Sequence, residues 1–230
     1  MELGKVNYLR KLLSQFKEIV SQNYRRKVLC DTICYEMVNL VDINECKEIK
    51  ILDYGSGYNP ILIRKIIEKL SNKYKSINFY AYCYDHYSDE QIKHININKK
   101  IKFKKLEDIN ENSNFNFCLI IDVLHHIGLE NNDKIFKIIE KLKNKSKFLI
   151  IKDHFQYSFF SYILLLLMDI FSNYGDGTKI PKMYFTIKSF ENFISFNKLE
   201  EIKRINNKKY YKWYWPIINS KKIQFISILK

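Results

Sequence analysis

Residues 51–66, ILDYGSGYNPILIRKI, join a short apolar run to an amphipathic segment through two glycines and a proline. The chain of 230 residues has only 6 glycines and 3 prolines, so this concentration is unusual. Glycine lets the backbone turn tightly and approach a ligand without a Cβ atom, and proline is tolerated in the first turn of a helix. The stretch predicts a strand, a tight turn that faces a ligand, and a helix.

On both sides of this unit, the apolar pattern alternates between the strand type and the helix type. Apolar runs predict strands at 49–52, 77–84, 101–103, 117–123 and 147–151. Spacings of three or four residues predict helices at 6–20, 29–41, 60–70 and 133–142, with a weaker one at 89–93. Because strands alternate with helices, we predict an α/β fold with a Rossmann-like, open, mostly parallel sheet and helices on both faces.

The size and composition fit one domain. The chain has 230 residues, of which 47% are hydrophobic, which is enough for one sizeable core. We predict a single domain at 1–230, with a helical cap at 1–45, a core at 46–155 and a C-terminal part at 156–230. We expect no signal peptide. The longest uncharged apolar run, 155–168, is shorter than the roughly 20 residues that span a bilayer.

The cysteines indicate the redox compartment. There are 5, and no two are spaced as CxxC. An odd number without paired spacing argues against a disulfide framework and against a zinc site, so we predict no bound metal and a reducing, cytoplasmic location.

The formal net charge is +14, which is compatible with nucleic acid or an anionic membrane as a partner. The basic residues are dispersed, however, and short groups such as KNKSK at 143–147 are typical of loop edges. We therefore interpret the charge as solvated lysines and do not expect a nucleic-acid partner. Peripheral contact with a membrane stays open, and the oligomeric state is not predicted.

Acidic residues end three of the predicted strands, at Asp53, Asp85 and Asp122. The carboxyl ends of parallel strands meet at one edge of an open sheet, and ligands bind there. Asp53 can accept hydrogen bonds from a ligand amine or fix the loop. Asp85 is placed to accept both hydroxyls of a ribose. The alternatives are a plain glycine turn and an ordinary turn aspartate.

Four stretches together resemble the class I S-adenosylmethionine-dependent methyltransferases, in a small-molecule, type 11-like subgroup. They are ILDYGSG at 51–57, YCYD at 82–85, CLIIDVLHHI at 118–127 and KFLIIKDHF at 147–155. The resemblance covers roughly residues 20–155. It implies a seven-stranded sheet whose last two strands come from the C-terminal third, S-adenosylmethionine as the cofactor, and a small-molecule methyl acceptor.

The same resemblance implies a place for each cofactor-binding residue. It places the methionine part of the cofactor against Asp53, Gly55 and Gly57, and the ribose hydroxyls at Asp85. It places the adenine amine near Glu107 or Asp108. Beside the methionine moiety and the donor methyl it places Asp122, Val123 and Leu124.

Candidate catalytic bases follow the fourth and fifth strands. His125 and His126 come after the fourth strand, and Asp153 and His154 come after the fifth, where the pocket opens. We favour His154 as the proton acceptor or substrate-orienting group. In the competing interpretation, Asp153 caps the next helix and pairs with Lys152, and His154 only begins that helix.

The segment after the fifth strand is predicted to form the acceptor side. An apolar helix at 158–171 precedes a glycine-containing loop and Tyr184, and the series K-D-H, D, G, P, Y over 152–184 resembles a subgroup of these methyltransferases. The helix predicts either a hydrophobic acceptor or a cap that excludes water; a core helix or a dimer contact is the alternative. The aromatic and lysine mixture KKYYKWYWP at 208–216 fits a strand or a base-stacking surface. The leading hypothesis is methyl transfer to a small acceptor, and the alternatives are an RNA methyltransferase and an inactive cofactor-binding subunit.

Overall fold

The computed structural model describes residues 23–57, 60–85, 100–103, 114–129, 132–173, 179–206 and 223–230. The first half comprises α1 (Asn23–Leu40), a 3₁₀ turn (Ile43–Glu45), β1 (Glu48–Tyr54), α2 (Ile61–Lys73), β2 (Asn78–Tyr84) and β3 (Ile101–Phe103). The second half comprises β4 (Phe115–Ile121), α3 (Leu124–Ile127), α4 (Asn132–Lys143), β5 (Ser146–His154), α5 (Phe159–Asn173), α6 (Ile187–Phe196), β6 (Glu201–Ile205) and β7 (Gln224–Leu229).

The described strands form one seven-stranded sheet in the order β3-β2-β1-β4-β5-β7-β6. Strands β1 to β5 pair in parallel, and β7 is antiparallel to both β5 and β6. The chain moves outward from β1 to β3 on one side and then crosses back to β4 on the other. The carboxyl ends of β1 and β4 therefore flank the switch point, which is where open α/β sheets bind ligands.

Helices cover both faces of this sheet, because consecutive strand residues point to opposite sides. Ile51 and Phe117 pack in the core that α1 and α2 cover. Their neighbours Leu52 and Cys118 pack in the core that α4 and α6 cover. The mostly parallel sheet, its two helical layers and the origin of the last two strands in the C-terminal third are thus confirmed.

The fifth strand extends further than predicted. The apolar pattern ends at Ile151, but β5 continues through His154, because Lys152, Asp153 and His154 pair with Ile226, Phe225 and Gln224 of β7. All three polar residues are buried. The interpretation of Asp153 as a helix cap and of His154 as the start of a helix is wrong, since α5 begins only at Phe159.

Several other sequence predictions can be placed. The predicted apolar helix at 158–171 is α5, Phe159–Asn173, and the predicted helices at 29–41, 60–70 and 133–142 are α1, α2 and α4 with shifted ends. The predicted helices at 6–20 and 89–93 and the aromatic segment at 208–216 lie outside the described residues. Within the described part of the chain, no helix combines the length and apolar character that crossing a membrane requires. All five cysteines are free thiols.

Candidate active site

The glycine turn after β1 is held by the end of β2. The amides of Gly55 and Ser56 both donate to the carbonyl of Tyr84, at 2.8 and 3.1 Å. Gly55 and Gly57 have φ values of +79° and +71°, in the left-handed region that side chains with a Cβ atom rarely adopt. The turn therefore depends on glycine at both positions.

The two glycines face different surroundings. A Cβ atom at Gly55 would overlap Cγ2 of Val123 and lie 3.1 Å from its Cγ1. A Cβ atom at Gly57 would meet no atom of the described residues within 4 Å. The sequence predicted that both glycines approach a ligand. In the structure, glycine is required at position 55 because the turn after β4 packs against it. Among the described residues, Gly57 is the glycine that faces open space.

Two carboxyl groups flank this turn. Asp53 is buried near the end of β1, and Asp85 follows β2 and accepts a hydrogen bond of 2.7 Å from the Gly57 amide. Burial raises the pKa of Asp53 to about 7, and the charge of Asp85 adds to the shift. The loop amide, the open space at Gly57 and the Asp85 carboxylate thus lie together at one end of the sheet. Glu107 and Asp108, predicted to reach the adenine amine, lie outside the described residues.

Asp122 stands at the turn between β4 and α3 in a left-handed conformation, with φ +55°. Its two carboxylate oxygens contact the guanidinium of Arg25 and the ammonium of Lys152. The competing interpretation, in which Lys152 pairs with Asp153, is wrong, because the lysine pairs with Asp122. Neighbouring Leu124 is fully buried in the core, so its side chain does not face a ligand.

A histidine and an aspartate pair at the centre of the site. Nδ1 of His125 lies 2.6 Å from Oδ1 of Asp153, and both side chains are completely buried. The same oxygen accepts the backbone N–H of His154 at 2.7 Å. Burial on its own raises the pKa of Asp153, but the His125 and His154 contacts outweigh it and hold the pKa below its usual range.

His154 ends β5 beside this pair. Its Nε2 lies 3.3 Å from Nζ of Lys152, and its Nδ1 has no hydrogen-bond partner among the described residues. Burial, with the positive charge of Lys152, lowers the pKa of His154 to about 3. The ring is therefore neutral near pH 7 and acts as a hydrogen-bond acceptor rather than a strong base. Gln224, its partner on β7, is also buried and leaves both amide atoms without a partner in the described part.

Three further groups complete the cluster from the segment that follows β5. Tyr184 donates a hydrogen bond of 2.5 Å to Oδ2 of Asp169 on α5, and that oxygen lies 3.6 Å from Nε2 of His125. The Nδ1 of His126 lies 2.9 Å from the carbonyl oxygen of Lys179. Burial, followed by the nearby His125, lowers the pKa of His126.

Sequence reasoning selected all four catalytic candidates in this cluster but gave no role to Arg25, Asp169 or Gln224. Asp169 was noted only as the D of the series over 152–184, and Tyr184 only as a residue of the segment. No sequence pattern marked Arg25 or Gln224.

No protein-family model matches the sequence, and no curated protein matches it. Solved structures do match. Magnesium protoporphyrin IX methyltransferase (ChlM) from Synechocystis PCC 6803, with bound SAH, aligns over 90% of this chain and 85% of its own, with a TM-score of 0.51 and 13% identity. A SAM-dependent methyltransferase from Archaeoglobus fulgidus aligns over 87% and 94%, with a TM-score of 0.51 and 13% identity.

The chain has the class I S-adenosylmethionine-dependent methyltransferase fold. A complex of LepI with SAM also matches, with a TM-score of 0.53 and 10% identity over 86% of this chain and 46% of that one, so the chain spans about half the length of that protein. At these identities the likeness establishes the fold alone.

The residues at the switch point of this methyltransferase fold suit the cofactor that the fold implies. The missing Cβ at Gly57 leaves open space, the adjacent Asp85 carboxylate is held at the strand end, and Asp53 offers a buried carboxyl group. These groups can bind a ligand that carries the two hydroxyls of a ribose and an amino group, as S-adenosylmethionine does.

Proposed function

We propose that the protein transfers a methyl group from S-adenosylmethionine to a small, apolar acceptor. The observation that carries the proposal is the contact between Gly55 of the glycine turn and Val123. Val123 precedes α3, which carries His125. The cofactor-type loop and the buried histidine cluster therefore adjoin at one edge of the sheet, as a transfer between two bound molecules requires.

On the cofactor side, the roles follow the positions of the carboxyl groups. Asp85, oriented by the Gly57 amide, accepts the ribose hydroxyls, and Asp53 accepts a hydrogen bond from the amino group. The backbone of Asp122 and Val123 borders the methionine moiety. Glu107 or Asp108 is proposed to accept from the adenine amine.

When bound, S-adenosylmethionine supplies an electrophilic methyl group, whose bond to sulfur breaks as the bond to the acceptor atom forms. The protein contributes alignment and the exclusion of water. Where the acceptor atom carries a proton, a nearby base or water takes up that proton. His154, with its lowered pKa, is proposed to orient the acceptor, and His125 or His126 is proposed to take the proton.

The surface of α5 supports an apolar acceptor. Phe159 and Phe160 are 72% and 84% exposed, and Ile163 and Leu167 extend the exposed apolar face along the same helix. This helix follows the strand that carries His154, and its opposite face carries Asp169 towards the histidine cluster. Exposed aromatic side chains and the charge of +14 also favour peripheral contact with an anionic membrane, from which a hydrophobic acceptor would be drawn.

Asp85→Ala is expected to weaken the binding of S-adenosylmethionine by about 1–3 kcal/mol, because charge-assisted hydrogen bonds to the ribose are lost. Isothermal titration calorimetry measures this directly. Asp31→Ala is the matched control, since Asp31 is an exposed aspartate that pairs with Lys69 on another part of the protein. Equal affinities of the Asp85 variant and the control would contradict the assigned role.

His154→Ala is expected to lower turnover about 10²-fold, the scale of a lost acid–base or orienting group, while cofactor affinity stays near the wild-type value. His154→Gln keeps a hydrogen-bond acceptor without a basic ring. Because the ring is neutral near pH 7, we expect the glutamine variant to be about tenfold more active than the alanine variant. Near-normal turnover of His154→Ala would assign the acid–base or orienting role to His125 or His126 instead.

The acceptor class is tested by incubating the protein with methyl-labelled cofactor and fractionated lysate. The proposal expects label in the lipid or small-metabolite fraction. Label in RNA, together with RNA binding that falls steeply as salt rises, would replace it with an RNA methyltransferase. Cofactor binding without labelling of any fraction would instead indicate an inactive cofactor-binding subunit.

A further inference from the structure

Two imidazoles and a carboxylate converge beside the proposed acceptor side. His125 and His126 lie on α3, and Asp169 lies on α5. One ligand-type atom from each lies within 4.8 Å of the other two, and the distance from Nε2 of His125 to Oδ2 of Asp169 is 3.6 Å. Ligands of a tetrahedral zinc ion, each about 2.0–2.2 Å from the metal, lie roughly 3.3–3.5 Å apart. The distance from His125 to Asp169 is therefore already close to a coordinating separation, and the ligand atom of His126 lies within 4.8 Å of both.

Each of these side chains has a second polar partner besides the proposed metal ion. Nδ1 of His125 pairs with Asp153 at 2.6 Å, and Nδ1 of His126 pairs with the carbonyl oxygen of Lys179 at 2.9 Å. Tyr184 donates to the carboxylate of Asp169 at 2.5 Å. Metal-binding histidines characteristically donate their other ring N–H to a carboxylate or a backbone carbonyl. This arrangement leaves Nε2 of His125 as the lone-pair atom.

That lone pair faces the carboxylate of Asp169 in a buried place. His125 is 1% exposed, and its Nε2 has no hydrogen-bond partner among the described residues. A lone pair and a carboxylate oxygen repel unless a positive charge lies between them. The side chain of Asp169 is 13% exposed, so solvent reaches this side of the cluster in the described part of the chain.

We infer that His125, His126 and Asp169 bind a divalent transition-metal ion of the zinc class. Two imidazoles and one carboxylate suit zinc, iron(II), cobalt(II) and nickel(II). The charges of Asp153 and Asp169 balance an ion of charge two. Three protein ligands leave a coordination position open, as catalytic metal sites do. The sequence predicted no metal, because cysteine spacing was the signal considered.

A second trio that shares His125 provides an internal comparison. His125, Asp153 and His154 also place ligand-type atoms within 4.8 Å of one another. There, however, the Asp153 carboxylate is already engaged by Nδ1 of His125 and the His154 amide, and the Lys152 ammonium lies 3.3 Å from the His154 ring. A fully buried cation at that place would repel an added metal ion. The two trios thus give opposite predictions for Asp169 and His154 variants.

The test uses the tag-free full chain, stripped with a chelator and titrated with Zn²⁺ or Co²⁺ alone, so it does not depend on methyl transfer. We expect one equivalent to bind, with a Co²⁺ absorption spectrum of a four- or five-coordinate site and a raised melting temperature. Asp169→Asn should weaken binding at least about 100-fold, and Tyr184→Phe, which removes an outer partner, about 10–100-fold. His154→Gln, the matched control, should bind as the wild type does.

Three results would overturn the inference. They are no metal uptake by the folded wild type, uptake unchanged by Asp169→Asn, and uptake abolished by His154→Gln, which would assign the ion to the second trio. The first result would leave the approach of Asp169 to His125 without a role in binding an ion. Because His125 variants remove a buried core group, the partly exposed Asp169 is the primary position, and circular dichroism checks that each variant is folded.

Discussion

Gly55→Ala is expected to lower the free energy of unfolding by about 2–5 kcal/mol. The left-handed backbone at this position costs a residue with a Cβ atom about 1–2 kcal/mol, and the overlap with Val123 adds roughly the 1–3 kcal/mol of an overpacked core. Gly55→Val adds further atoms to the same overlap. The loss appears in urea unfolding without any cofactor, so it separates a packing role from a ligand-approach role.

Two variants isolate the two contributions. In a Val123→Ala background the overlapping methyl groups are absent, so the added Gly55→Ala should cost only about 1–2 kcal/mol. Gly57→Ala should likewise cost about 1–2 kcal/mol, because its φ is positive but its Cβ meets open space. Equal costs for Gly55→Ala with and without Val123 would contradict the contact between the two turns.

Asp122→Ala is expected to lower the free energy of unfolding by about 3–5 kcal/mol, the cost of removing one partner of a buried ion pair. The Lys152 side chain is 0% exposed, and its ammonium contacts the carboxylate of Asp122. Burial, with the charge of Arg25, lowers the pKa of Lys152. The unfolded chain therefore binds the lysine proton more readily than the folded chain does. Removing the Asp122 carboxylate should increase this difference, so the variant's stability should rise with pH below the unfolded lysine pKa of about 10.4.

Urea unfolding at pH 7 and pH 9 measures both effects. Lys152→Met in the Asp122→Ala background should recover most of the loss, because an apolar side chain of similar length needs no partner. Asp31→Ala, which breaks an exposed pair with Lys69, should cost at most about 1 kcal/mol. A loss from Asp122→Ala no larger than this control would show that Lys152 finds another partner.

The sheet was predictable because its strands are buried on both faces and so appear as continuous apolar runs. The end of β5 was not predictable in the same way. Lys152, Asp153 and His154 have the composition of a loop, and they are buried only because β7 pairs with them. The strand that makes this pairing is about 70 residues later in the chain, beyond the reach of local periodicity.

In the candidate site too, residues marked by local sequence signals were predictable, and residues brought together by tertiary packing were not. The glycines and acidic residues that follow β1, β2 and β4 were identified because turn chemistry and strand ends are local signals. The contact of Arg25 with Asp122 joins residues 97 positions apart, and the approach of Asp169 to His125 depends on how α5 packs. The roles of these residues follow only from the tertiary arrangement.

The position of β7 has a consequence for the order of folding. β7 follows β6 in the chain but lies between β5 and β6, so β6 has no place in the sheet until β7 has been synthesised. Gln224 of β7 pairs with His154, and the carbonyl of Ile223 accepts the amide of Phe155. During synthesis the cofactor-side strands β1 to β4 can therefore assemble while the end of β5 still lacks its edge partner. If the proposed function holds, a ribosome-bound chain is therefore expected to bind S-adenosylmethionine before it can transfer the methyl group.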